Sequence, residues 1–272
     1  MTKNLDNEGL KSIINNYDLF FIDLWGVVHN GIELHAEAVK ALSKISELKK
    51  DYVLLTNAPR PNETVKIFLK KMGLIKTMRE KVFTSGEAAL TYLKKNYKNQ
   101  KFYHIGPPRD FDLFIDFKNE KTQEIIKSDY LLCTGLYDKY DQDLNYYKEL
   151  LKNFISKKMI CTNPDLIVDR GKKREYCAGS VAKIFEEIGG EVVYFGKPYP
   201  EVYKQSYDTN NKKIIAIGDN LRTDIKGANN MNYDSIVITN GVHKIEFDQE
   251  NIEKVLRGYD VKATFSQSVL KW

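Results

Sequence analysis

Cysteine is scarce in this chain: three in 272 residues, Cys133, Cys161 and Cys177, odd in number and widely spaced. A disulfide framework or a zinc site wants closer pairs, so these are read as buried or incidental thiols of a reducing cytosol. Arginine is scarce too, with 7 against 35 lysines. Arginine is the usual reader of guanine edges and phosphate forks. The lysines fall as pairs between apolar stripes (Lys49-Lys50, Lys70-Lys71, Lys94-Lys95, Lys212-Lys213). That pattern reads as solvated helix faces, and no nucleic-acid partner is expected. No stretch approaches the ~18–20 uninterrupted apolar residues of a membrane span. The segment MTKNLDNEGLKSIINNYD has no apolar h-region, so no secretory signal is read and a cytoplasmic location is expected. Repeats and low-complexity tracts are also missing.

What is present supports a substantial core. The 42 basic and 37 acidic residues leave a formal charge of +5, and the chain is 42% hydrophobic and 12% aromatic. That aromatic content excludes intrinsic disorder, and the length suits one large domain or two small ones. Apolar runs alternate with helical patterns. Tyr17 to Asp23, Tyr52 to Thr56, Lys81 to Ser85, Glu191 to Phe195, Lys213 to Gly218 and Ser235 to Thr239 read as strands. His35 to Lys49, Asn62 to Met72, Gly86 to Tyr97, Pro200 to Tyr207 and Thr223 to Met231 read as helices. Short apolar runs alternating with amphipathic helices predict an α/β fold, a doubly wound parallel sheet covered on both faces. The middle, about Gly86 to Arg174, has its own rhythm. Strands are expected at Lys101 to Ile105, Tyr130 to Cys133 and Met159 to Thr162, with helices near Gln123 and over Asp141 to Ser156. It reads as an insertion with a small sheet.

Four strand ends carry polar residues of one character. They are Asp23, Thr56-Asn57, Gly196-Lys197-Pro198 and Gly218-Asp219-Asn220, the last with Thr223-Asp224 just beyond. In a parallel sheet such ends share one edge, where ligands bind. Taken singly, each is a turn or a cap. Together they bring carboxylates, a lysine, a hydroxyl and free amides to one place. This is the equipment of a magnesium-assisted phosphoryl site: hard oxygen ligands for Mg²⁺, a carboxylate nucleophile, and donors for the equatorial phosphoryl oxygens.

In these motifs the sequence resembles the haloacid-dehalogenase-like (HAD) hydrolase superfamily, subfamily IIA, which includes NagD-type nucleotide and sugar phosphatases. FIDLWGVVHNG (Phe21 to Gly31), LLTNAPR (Leu54 to Arg60), GKPYPEVY (Gly196 to Tyr203) and GDNLRTDIKGA (Gly218 to Ala228) resemble its four motifs in order. CTNPDLIV (Cys161 to Val168) and CAGS (Cys177 to Ser180) resemble the exit from its cap. The resemblance implies a Rossmann-like core over residues 1–84 and 178–272, with an α/β cap inserted over 85–177. It implies Asp23 as nucleophile and Mg²⁺ ligand, and Thr56, Asn57, Ala58 and Lys197 around the phosphoryl group. Asp219 and the main-chain carbonyl of Trp25 would complete the metal site, with Asp224 and Asn220 in support. The substrate would be a small phosphorylated metabolite. The oligomeric state stays open, as does whether the turn Asn163-Pro164-Asp165 faces the site.

One departure stands out. Phosphatases of this superfamily usually carry a second Asp two residues after the nucleophile, to protonate the leaving group and then activate water. Here that position is Trp25, whose indole has no proton to exchange near neutral pH. His29 is the candidate substitute acid–base. Two alternatives therefore accompany the phosphatase reading: a catalytically weak phospho-ligand-binding or scaffold protein, and a metal-free carbon–halogen hydrolase acting through Asp23.

Overall fold

A computed structural model describes residues 1–171 and 173–272. Its strands are β1 (Lys3–Asn4), β2 (Leu19–Ile22), β3 (Asp51–Thr56), β4 (Val82–Thr84), β5 (Phe102–Ile105), β6 (Lys121–Thr122) and β7 (Tyr130–Cys133). There follow β8 (Lys158–Cys161), β9 (Ile167–Arg170), β10 (Lys173–Tyr176), β11 (Glu191–Tyr194), β12 (Ile214–Gly218), β13 (Asp234–Ile238) and β14 (Phe265–Gln267). Seven of them form one sheet in the order β1-β14-β13-β12-β2-β3-β4, and every pair in it is parallel. The expected doubly wound α/β fold is present.

The central strand β2 shows why both faces are covered. Its residues alternate, and both sets are buried. Phe20 and Ile22 face the helices Ala36–Glu47 and Asn62–Lys71 through Ala41, Leu42, Ile45 and Leu69. Leu19 and Phe21 face the opposite layer, where Phe21 meets the Tyr203 ring edge-on at 5.2 Å. A strand buried on both sides reads as an unbroken apolar run, as LFFI does.

The middle of the chain builds a second sheet, in the order β11-β8-β7-β5-β6, again all parallel. The expected insertion is therefore a parallel sheet of its own. Its predicted extent, 85–177, needs correction. The helix Ala178–Glu187 packs Val181, Ala182 and Phe185 against Leu131, Met159 and Cys161, and β11 pairs with β8. The chain thus stays with the second sheet to about Tyr194. The expected helix near Gln123 is a short 3₁₀ turn at Ile125–Lys127, and Asp141 to Ser156 narrows to Leu144–Leu151. The helix at Thr223 begins as a π-turn over Leu221–Ile225. All three cysteines are buried and unpaired. No described helix is long and apolar enough to cross a membrane.

The two sheets share one apolar layer. The helix Ser85–Asn96 contributes Ala88, Ala89 and Leu93 to a cluster that also holds Leu19, Val53 and Leu55 of the first sheet and Phe102, Tyr130 and Leu132 of the second. Leu93→Ala should therefore lower stability by ~2–5 kcal/mol, the range for a buried leucine truncation. Urea unfolding followed by far-UV circular dichroism and by tryptophan fluorescence should shift together, because one layer serves both sheets. Two separated transitions would contradict the shared layer.

Candidate active site

The first sheet changes direction between β2 and β12: the chain runs outward from β2 through β3 to β4, and β12 lies on the other side. Crevices at such switch points, beyond the carboxyl ends of the strands, are where ligands bind. Register fixes what lies there. Ile22 pairs with Ile217 and Leu54, so Asp23, Thr56 and Asp219 emerge within a residue or two of one another. Gly26, with φ +84°, turns the chain tightly after Asp23. A Cβ there would lie 2.1 Å from Asp219 Oδ2, so no larger residue lets the loop close against that carboxylate.

Lys197 enters from the second sheet. Asn57 holds its main chain on both sides: Asn57 Oδ1 accepts from the Lys197 amide at 2.8 Å, and Asn57 Nδ2 donates to the Lys197 carbonyl at 3.0 Å. The ammonium then reaches Asp23 Oδ1 at 2.5 Å, Asp224 Oδ1 at 2.7 Å and the Leu55 carbonyl at 2.8 Å. Asp219 accepts from the Val242 amide at 2.8 Å. Asp23, Lys197, Asp219 and Asp224 are each less than a tenth exposed.

The charges do not balance. Asp23, Asp219 and Asp224 offer carboxylate oxygens that all lie within 4.8 Å of one another, and one ammonium faces them. Burial drives the Asp23 carboxyl well above its usual range; Lys197 opposes this, and Asp224 and Asp219 add to it. Burial, then Asp224, pushes Asp219 up to about 8. Burial works to lower Lys197, but Asp224, Asp23 and Asp165 outweigh it, so the lysine is held charged. A cluster with more carboxyl groups than cations, all offering hard oxygen donors, fits a divalent cation such as Mg²⁺, whose charge favours their ionised forms.

The Asn163-Pro164-Asp165 turn faces this site. Asp165 Oδ1 accepts from Thr223 Oγ1 at 2.9 Å and from Asn220 Nδ2 at 3.2 Å, joining the second sheet to the helix after Asp219. Asn220 also caps that helix through the Arg222 amide. The Thr56 hydroxyl accepts from the Ala58 amide at 3.3 Å. Asp23, Thr56, Asp165, Lys197, Asp219 and Asp224 line one chamber of about 890 Å³ between the sheets, room for much more than a phosphoryl group.

Two side chains sit differently from what the sequence suggests. The Trp25 indole donates to the Asp169 carbonyl at 2.6 Å, in the β9–β10 hairpin, which sequence reading missed. His29 is buried, accepts the Gly31 amide on Nδ1 at 3.0 Å, and packs edge-on between Trp25 and Phe68. Burial, with His35 and Arg170 nearby, lowers its pKa to about 4. That shift works against the charged form a general acid would use, while His29 still borders the chamber that holds Asp23.

Two family models match the chain: haloacid dehalogenase-like hydrolase over residues 20–118, and HAD-hydrolase-like over residues 194–260. Phosphoglycolate phosphatase 2 of Arabidopsis thaliana is 24% identical over 268 residues, covering 88% of each chain. The 5′-nucleotidase YutF of Bacillus subtilis is 23% identical over 261 residues, covering 91% of this chain and 96% of its own. Among solved structures, a haloacid dehalogenase-like family hydrolase from Brucella suis 1330 superposes with a TM-score of 0.83 at 29% identity, over 96% of this chain and 98% of its own.

The charge imbalance has a measurable consequence. A carboxyl whose folded pKa is raised holds its proton in the folded state and loses it on unfolding. Its contribution to stability therefore falls as pH rises, here from about 4 to about 8 for Asp219. In a chelator, Asp219→Asn should melt at a higher temperature than the unsubstituted protein at pH 8, and the gap should close toward pH 5. Calorimetry across that range checks both sign and trend, and a gap that widens at low pH would contradict them.

Proposed function

Since the chain belongs to the haloacid dehalogenase-like hydrolases, subfamily IIA, we propose that it cleaves phosphate monoesters of small metabolites, with Mg²⁺, through a phosphoryl group carried on Asp23. The observation that carries this reading is the Lys197 ammonium fixed between Asp23 and Asp224, beside Asp219, at the switch point of the sheet. The phosphatase and nucleotidase names of the relatives point the same way.

In this mechanism Asp23 attacks phosphorus, and the bond from phosphorus to the leaving oxygen breaks. Water then cleaves the aspartyl-phosphate, returning the carboxylate and releasing inorganic phosphate. Lys197 offsets charge on the nucleophile and on the phosphoryl oxygens, and Asp224 keeps it there. The Thr56 hydroxyl and the main chain at Asn57 and Ala58 hold the equatorial oxygens, while the Asn57 side chain fixes Lys197. The carboxylates of Asp23 and Asp219 and the Trp25 carbonyl would hold Mg²⁺. When bound, it supplies positive charge to the phosphoryl oxygens. Asn220 and Asp224 support from behind.

Trp25 shapes the selectivity. Without an acid at that position the leaving oxygen departs unassisted, and general acid help is typically worth ~10²–10⁴-fold. Leaving groups of low pKa should be favoured. The same observation favours the second reading, a phospho-ligand-binding protein with weak turnover. A metal-free carbon–halogen hydrolase is disfavoured by the surplus carboxylates beside Asp23.

A phosphate-release assay separates these readings. The protein should cleave an aryl or acyl phosphate with kcat/KM at least ~10²-fold above a simple alkyl phosphate. Activity should fall in excess EDTA and return with Mg²⁺. Asp23→Asn should bind the substrate but release no phosphate. Binding without release in the unsubstituted protein, with Mg²⁺ present, would favour the binding-protein reading; chelator-resistant dehalogenation would favour the third.

A further inference from the structure

The β9–β10 hairpin, Ile167–Arg170 paired antiparallel with Lys173–Tyr176, borders the chamber but lacks a core. None of its described residues joins any of the apolar clusters, and most are half-buried or exposed. An isolated two-stranded hairpin is marginally stable at best. Its placement therefore depends on attachments outside itself: Lys173 pairs with Asp141 on the second sheet's side at 3.2 Å, and polar attachments reach the first sheet on two sides of the site.

On one side stands the loop after the nucleophile. The Trp25 indole N–H donates to the Asp169 carbonyl at 2.6 Å, the Arg170 guanidinium lies 5.0 Å from the Trp25 ring centroid, and the Gly171 amide donates to the Asn30 carbonyl at 3.2 Å. The ring is held in orientation: His29 meets it edge-on, and Gly31 lies against its far edge, where a Cβ would come within 2.4 Å of Cζ2. On the other side, Arg174 donates to the Val242 carbonyl at 2.8 Å, while the Val242 amide donates to Asp219 Oδ2 at 2.8 Å. Arg174 also pairs with Asp169 across the hairpin.

We propose that Trp25 is a positioning residue whose indole N–H seats the β9–β10 hairpin across the mouth of the chamber, with Arg174 as the second attachment. A carboxylate at position 25 only accepts hydrogen bonds and cannot donate to a main-chain carbonyl. Trp25→Asp therefore adds an acid and releases the hairpin at once. Seated, the hairpin screens the reacting atoms from bulk water and limits the space open to a leaving group.

The test is limited trypsin digestion of the full chain, followed by mass spectrometry of cuts at Arg170, Lys173 and Arg174. It does not depend on any activity. A neutral hydrogen bond of ordinary strength corresponds to about five- to tenfold in local opening, and cleavage of a fast-opening segment follows that population. Trp25→Phe, which keeps a ring and loses the donor, should speed hairpin cleavage about five- to tenfold, with cuts elsewhere and the melting temperature unchanged. Arg174→Gln, which keeps Trp25, should speed the cuts at Arg170 and Lys173 comparably. With p-nitrophenyl phosphate, Trp25→Phe should raise KM more than it lowers kcat. Hairpin cleavage unchanged in either variant would overturn the proposal. So would acceleration at every site together with a lower melting temperature. Failure of the phosphatase reading would leave the digestion result intact and show only in the kinetics.

Discussion

The site depends on one buried ammonium. Lys197 is almost fully enclosed, and its acceptors are fixed by two strands and a turn: Asp23 by β2, the Leu55 carbonyl by β3, and Asp224 by the π-turn after β12. Removing one member of such a buried set leaves the others uncompensated, at a typical cost of ~3–5 kcal/mol. That penalty explains why the lysine is clamped so thoroughly. Asn57 takes both hydrogen-bonding groups of its main chain, so the ammonium approaches Asp23 from one direction. Lysine carries much rotamer entropy, and this arrangement removes it before any ligand arrives.

The same lysine ties the two sheets together. It follows β11, an edge strand of the second sheet, yet its charge belongs to the edge of the first. Asp165, at the end of β8, crosses the same gap to Thr223 and Asn220. Beneath these polar links lies the apolar layer around Leu93 and Phe21. The chamber is thus walled by two parallel sheets that present their carboxyl ends to a common space.

Much of this was legible in the sequence, for a definite reason. Asp23, Thr56 and Asp219 each follow an apolar run, and parallel strands deliver such residues to one edge. Lys197 was legible as a motif, but its anchor was not, because nothing local shows that an Asn side chain will hold a main chain 140 positions away. The strand Glu191–Tyr194 was legible as a strand and misplaced in its sheet, since a short apolar run carries no mark of its partner. The β9–β10 hairpin was missed because DLIVDRGKKREY is mostly charged and its strands bury no continuous face. Trp25 was legible as a departure, whereas its bond to Asp169 is tertiary. His29 was legible as a titratable ring, whereas its burial between Trp25 and Phe68 is tertiary.

The central claim is that Asp23 itself carries the phosphoryl group. The direct measurement is acid quenching during turnover of p-nitrophenyl phosphate with Mg²⁺, then proteolysis and mass spectrometry of the peptide that contains Asp23. The account predicts a phosphoryl adduct on that peptide, lost in Asp23→Asn and formed more slowly in Lys197→Met. Steady phosphate release with no adduct on Asp23, or an adduct on another residue, would contradict it.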